Sequence, residues 1–191
     1  MRLRTAASAA AFAVGALSLV GCGGSSEDSN ATSQPATAIS ASAATSDTAA
    51  TGFDPCALPE VDLAAAGLDP SSKHVGAAGV RIPGWDACSW RGQKTAWYGL
   101  NVYSTGEHTY DEAIHNTTLY RDPQPVKVAG RDATQLYSAT DDHDCTIIFD
   151  ATGGPVSFQV SAKLSADNPG DACAEASRIA GSLVKDVPNI E

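Results

Sequence analysis

Acidic residues outnumber basic ones by 22 to 12 in this chain of 191 residues, giving a formal net charge of −10, and no basic stripe gathers the Lys and Arg together. That balance argues against nucleic acid and anionic lipid headgroups as partners, because both repel a negative surface. Cationic partners and metals stay compatible with it.

The N-terminus reads as an export signal. Arg2 and Arg4 make a short basic start, and Ala6 to Val20 is apolar or small apart from Ser8 and Ser18. Such a run suits the apolar region of a signal peptide and is too short to span a bilayer as a helix. It ends in Leu19-Val20-Gly21-Cys22, which resembles the lipobox of bacterial lipoproteins. There a transferase needs an exposed thiol at the bilayer edge to attach a diacylglyceryl group. A peptidase then needs small residues just before that Cys. The expectation is a signal peptide over residues 1–21, lipid on Cys22, and a protein held on the extracytoplasmic face of the cell membrane. Two or three acyl chains, at about 0.8 kcal/mol per buried methylene, hold a protein where one would not. Losing Arg2 and Arg4 with the leader takes the net charge from −10 to −12.

Residues 22–52 read as a lipidated, disordered tether. Beyond Cys22 they are almost entirely small or polar, with one Pro and Ile39 as the single large aliphatic residue. Such a segment buries too little surface to offset the entropy of ordering, and as a coil it has a root-mean-square span of roughly 30 Å.

Residues 53–191 are enough for one domain with one core. They carry Cys56, Cys88, Cys145 and Cys173, spaced 32, 57 and 28 apart. An even number in an exported domain reads as two disulfides, and the absence of paired Cys-x-x-Cys spacing argues against zinc. Three connectivities are open. The sequence-local one, Cys56–Cys88 with Cys145–Cys173, is favoured, each bridge closing a loop of about 30 residues and restricting the unfolded chain by about 3–4 kcal/mol.

In chain order, Pro59 to Ala66 predicts a short helix, with Gly67 as its stop. Asp69 to Gly84, rich in Gly, Ser and Pro, reads as a long irregular connection. Cys88 to Arg91 starts a strand with Cys88 and Trp90 on one face. After a turn at Gly92 to Thr95, Trp97 to Ser104 continues the sheet, with Tyr98, Leu100 and Val102 alternating against polar or small positions. Thr109-Tyr110-Asp111-Glu112 has the form of a capping box and predicts a helix from Tyr110 to about Thr118. Val126 to Val128 and Ala133 to Ser138 read as a hairpin around Gly130, and Cys145 to Asp150 as a further strand. Val156, Phe158, Val160, Ala162 and Leu164 alternate with polar residues, the mark of a strand with one buried and one wet face. Pro169 to Asp186 is an amphipathic helix ended by Pro188. Together these elements predict an α+β domain: an antiparallel β-sheet with flanking helices.

Several of these pieces stand in a familiar order. Asp54-Pro55-Cys56 precedes a short helix; Cys88-Ser89-Trp90 and Gly130-Arg131-Asp132-Ala133 follow; Cys145 lies in a strand; Asp171-Ala172-Cys173 opens the last helix. Behind a lipobox, this order and spacing resembles the actinobacterial lipoproteins known only as a domain of unknown function, the 3558 type. The resemblance spans Asp54 to Pro188. Ala57-Leu58-Pro59-Glu60 departs from it, where that family has a longer Leu-Leu-Thr/Ser-Pro-Glu-Glu stretch. The resemblance implies a cell-envelope location and a disulfide pair, and no known activity. By topology the domain also resembles the PsbP-like fold, an analogy that carries no function.

The chain holds no Gly-x-Ser-x-Gly elbow, no His-Glu-x-x-His and no phosphate-binding Gly loop. Its densest polar cluster is Asp141-Asp142-His143-Asp144, which reads first as a solvated loop. His108 and His115 read as surface histidines. Of Trp85, Trp90 and Trp97, Trp90 belongs with Cys88 in the core. The leading expectation is a ligand- or partner-binding module without catalytic residues, metal or cofactor, taking a small ligand or an envelope protein. Its pocket is expected between the sheet and the helix near Tyr110 to Thr118, because a short helix covers a sheet thinly. Trp85, Tyr110 and Ile114 are the expected contacts, with Trp85 as a lid. One alternative is a metal-assisted hydrolase using Asp141, Asp142 and His143; another is a structural envelope scaffold.

Overall fold

The computed structural model describes residues 52–190. Cys22, the signal peptide and nearly all of the tether lie outside the described residues.

Seven strands form one antiparallel sheet: β1 (Leu68–Val75), β2 (Asp86–Gly92), β3 (Tyr98–Ser104), β4 (Tyr120–Val128), β5 (Arg131–Ser138), β6 (Asp144–Phe149) and β7 (Val156–Ala162). Their spatial order is β1-β2-β3-β7-β6-β5-β4. Three helices accompany them: α1 (Glu60–Ala65), α2 (Tyr110–Ile114) and α3 (Ala172–Leu183). The α+β expectation therefore holds.

Alternation decides which side chains face α3. The register pairs Val102 with Phe158, Leu100 with Val160 and Ile147 with Phe158, so these residues share one face. All are buried, together with Trp90, Cys88 and Phe149. Phe149 and Phe158 meet edge to face, with ring centroids 5.9 Å apart. α3 lays Cys173, Ala176, Ile179, Ala180 and Leu183 on that surface. The disulfides are Cys56–Cys88, fixing the turn Pro55–Ala57 to β2, and Cys145–Cys173, fixing β6 to the first turn of α3.

The structure departs from the sequence expectations at several places: β4 starts at Tyr120, ahead of the expected Val126, and β7 stops at Ala162, which leaves Leu164 exposed. The stretch from Asp69 is not irregular throughout: Leu68–Val75 is an edge strand. It hides from a periodicity reading because Pro70 and a register shift between Asp69 and His74 break the alternation. Ser72 mends that break, its hydroxyl accepting from the Arg91 N–H at 2.9 Å and donating to the Asp69 carbonyl at 2.6 Å. α2 carries the capping box between Thr109 and Glu112 but stops at Ile114. Asn116 ends it by turning the chain locally, its side chain accepting from the Thr118 N–H and its carbonyl from the Leu119 and Tyr120 N–H groups. α3 begins at Ala172 because the Asp171 carboxylate accepts from the Cys173 and Ala174 N–H groups, and its last turn tightens to a 3-10 turn at Val184–Asp186.

Arg131 ties down the C-terminal end of α3, and Lys185 in the turn that follows pairs with Asp62 at 2.6 Å. Arg131, just past the Ala129-Gly130 turn, donates to the carbonyls of Val184, Val187, Asp150 and Pro188, and its guanidinium lies 5.3 Å from the Phe149 ring centroid.

Candidate functional site

The face of the sheet turned away from α3 has a different composition. Tyr103 pairs with Ser157, Asn101 with Gln159, Ser157 with Ile148 and Gln159 with Thr146, so this surface is polar with apolar islands. α2 covers one island: Ala113 packs on Leu136 and Ile148, with Tyr110, Ile114 and Tyr120 beside them. A helix of 5 residues covers little more than that. Beside it lies a crevice of about 340 Å³, at the small end of the range for ligand sites.

Its floor comes from three strands: Tyr103 of β3, Ser157 and Gln159 of β7, and Asp144 and Ile148 of β6. One wall is Ile82 and Trp85, from the connection between β1 and β2; the other is Asn116 and Leu119, from the connection between α2 and β4, with Tyr120 at the start of β4. Turn chemistry builds the first wall. Pro83 and Gly84 (φ +75°) form a tight turn closed by the Trp85 N–H to the Ile82 carbonyl at 3.1 Å. The Thr105 hydroxyl donates to the Gly84 carbonyl at 2.7 Å, tying the turn to the end of β3. The indole of Trp85 stacks on His108, with centroids 5.7 Å apart, and meets Tyr103 edge-on at 6.4 Å. A lid was expected at Trp85; the backbone bonds and ring contacts make it a fixed wall instead.

Burial governs the electrostatics. It pushes the Tyr103 phenol well above the ordinary tyrosine range, with the charges of Tyr120 and Asp144 adding to the effect. The phenol therefore stays neutral and donates to Gln159 Oε1 at 2.9 Å. Burial raises Tyr120 as well. Asp144 is half-buried, and burial raises its carboxyl; hydrogen bonds from the Ser161 side chain and the Ala162 N–H, and the nearby His143, pull the other way, while Asp141 adds to the rise. It is the single formally charged side chain on the crevice wall among the described residues.

The other expected residues sit elsewhere. The Tyr110 hydroxyl bonds to the Thr134 hydroxyl at 2.8 Å, and Tyr110 borders a shallow open cleft with Gly153 and Gly154. Ile114 packs under α2. Of Trp85, Tyr110 and Ile114, only Trp85 lines the crevice. Trp90 is in the core, and Trp97 meets Tyr98 edge-on at 5.5 Å beside it. His115 faces Asp111 at 3.2 Å and His108 faces Glu112 at 3.9 Å, both at the surface.

The acidic run divides. Asp142 pairs with Arg121, and the Asp141 carboxylate accepts from the His143 N–H at 2.8 Å. No three His, Cys, Asp or Glu side chains among the described residues converge to hold a metal. Only Asp144 turns into the crevice. The walls and floor can hold and orient a small molecule. They bring together no acid–base pair beyond one carboxylate among neutral hydroxyls and amides.

Tyr103, Tyr120, Asp144 and Gln159 were not anticipated as site residues. A signal existed: Tyr103 is a large aromatic in the polar phase of β3, where exposure alone would favour a smaller side chain. No curated protein and no solved structure matches the chain. The family described as Protein of unknown function (DUF3558) matches residues 17–186, nearly the whole length, and the chain belongs to that family.

Proposed function

We propose that this protein is an actinobacterial lipoprotein of the cell envelope, acylated on Cys22 and displayed on the extracytoplasmic face of the cell membrane, whose domain binds a small ligand without transforming it. The crevice carries the binding reading: it has a polar floor, apolar and aromatic walls, and no convergent catalytic pair. Two disulfides suit an oxidising compartment. The family match begins at residue 17 and so includes Leu19 to Cys22. No helix among the described residues is long and apolar enough to cross a membrane. The analogy to the PsbP-like fold drawn from the sequence stays part of this proposal and carries no function.

Two experiments test this reading. Cys22→Ala should leave the precursor unprocessed or move the protein to the soluble fraction; a mature, processed mutant that still sediments with membranes would refute the anchor. Native mass spectrometry of protein extracted from its own envelope should show a co-purifying small molecule that is lost in Trp85→Ala. A tightly associated protein in place of a small molecule, unaffected by that substitution, would favour the scaffold reading.

A further inference from the structure

The composition of the crevice narrows the class of ligand, an inference that rests on the binding reading above. Asp144 brings the one formal charge to the wall, and no Lys, Arg or His side chain lines it among the described residues. A phosphate or carboxylate entering this space meets no cation and is repelled by Asp144. A neutral molecule displaces water from a half-buried carboxylate and returns no counter-charge, and the hydrogen bonds from Ser161 and Ala162 offset only part of the cost of desolvating an ionised group. A cation reverses both effects.

The rings point the same way. Trp85, Tyr103 and Tyr120 all border the space that Asp144 faces. Aromatic faces attract cations through their quadrupole, and cages of such rings are a known solution for ammonium groups. The Tyr103 hydroxyl spends its proton on Gln159, so its oxygen is left with accepting capacity only. Ile82, Leu119 and Ile148 provide apolar surface for the rest of the molecule. We propose that the crevice binds an organic monocation, a protonated amine or quaternary ammonium on a small apolar body, with Asp144 as its counter-ion and the three rings around the charged head.

Three probes of one size test this on the full-length protein: 2-phenylethylammonium, 2-phenylethanol and phenylacetate, titrated by tryptophan fluorescence and ligand-observed NMR. The expected order is the ammonium first, at least about tenfold tighter than the alcohol, with phenylacetate weakest. Asp144→Asn should bring the ammonium to within about threefold of the alcohol, by weakening the ammonium and relieving the alcohol of the cost of desolvating a carboxylate, whereas Trp85→Ala should weaken both. The wild-type ranking stands as a test even if a variant fails to fold. An alcohol bound as tightly as the ammonium, or an ammonium preference that survives Asp144→Asn, overturns the cation assignment and leaves the crevice as a binding site. Binding of none of the three overturns the assignment and the crevice reading together.

Discussion

Arg131 is the side chain whose removal should cost the fold most for its position at the surface. Its Nη1 donates to the Val184 and Val187 carbonyls at 3.1 and 2.9 Å, and its Nη2 to those of Asp150 and Pro188 at 3.3 and 3.0 Å. These acceptors include carbonyls at and beyond the C-terminal end of α3, which has no basic residue in its own last turn. A hydrogen bond to a charged donor contributes about 1.5–3 kcal/mol in isolation. Four such values cannot be added: one guanidinium is desolvated once, as its burial-lowered pKa indicates, and water can reach some of the acceptors after truncation. Arg131→Ala should therefore destabilise the domain by about 2–3 kcal/mol. For a domain of this size that is a fall in Tm of roughly 6–12 °C. Arg131→Lys should lose about half as much, since one ammonium has three donors and no planar fork. Calorimetry and urea unfolding followed by circular dichroism would measure both. An Arg131→Ala protein melting within 2 °C of wild type, or an Arg131→Lys protein as unstable as the alanine variant, would refute this account.

Three further predictions follow from other parts of the fold. Replacing Cys145 and Cys173 together by Ala should cost about 3 kcal/mol or more, because the bridge closes a loop of 28 residues and also pins the first turn of α3; urea denaturation under non-reducing conditions measures it, and a loss under 1 kcal/mol contradicts it. Asp144 has a raised pKa in the fold, so the stability linked to its protonated form is complete below the unfolded carboxylate range near pH 4 and is lost as pH rises through the folded value. Asp144→Asn should accordingly melt at or above wild type at pH 7, with that advantage gone below about pH 4; a variant clearly less stable at pH 7 would show that the charged form is favoured by the fold. Gly154→Ala should be destabilised by at least about 2 kcal/mol, since a Cβ there lands on the Thr105 carbonyl oxygen and the residue sits at φ +121°; a wild-type melting curve would show that the turn relaxes.

Strand β3 is legible in the sequence because one face is buried and the other is not, so its side chains alternate cleanly; β7 alternates apolar with polar residues although Ser157 is buried too, and β6 reads as a short apolar run because both its faces are buried. The β4–β5 hairpin is legible for a different reason, its Gly130 turn. The edge strand Leu68–Val75 was not, because an edge needs no alternation and its ladder is partly made by a serine side chain. The crevice was legible in place and not in content. That a short helix covers a sheet thinly follows from its capping box and the polar residues after it. Which side chains fill the gap depends on bringing β3 beside β7, a pairing across more than fifty residues of chain that no local pattern encodes. Asp144 illustrates the difficulty: in sequence it is the last of four polar residues in a loop, and only its place as the first residue of β6 turns it inward while Asp142 turns out to Arg121.

The two disulfides never cross between the halves of the sheet. Cys56–Cys88 belongs with the strands that run to β3, and Cys145–Cys173 with those from β4 onward. For a chain threaded N-terminus first into an oxidising space, Cys88 is the first of the other three described cysteines to arrive after Cys56. That pair can close before Cys145 emerges, and the second pair then has no rival. In that setting order of arrival favours the pairing observed. The seam between β3 and β7 is left to noncovalent forces, and the crevice floor straddles it, with Tyr103 on one side and Ser157 and Gln159 on the other. A bound molecule would therefore act as a clasp between two separately stapled pieces, and occupancy would register as resistance to their parting.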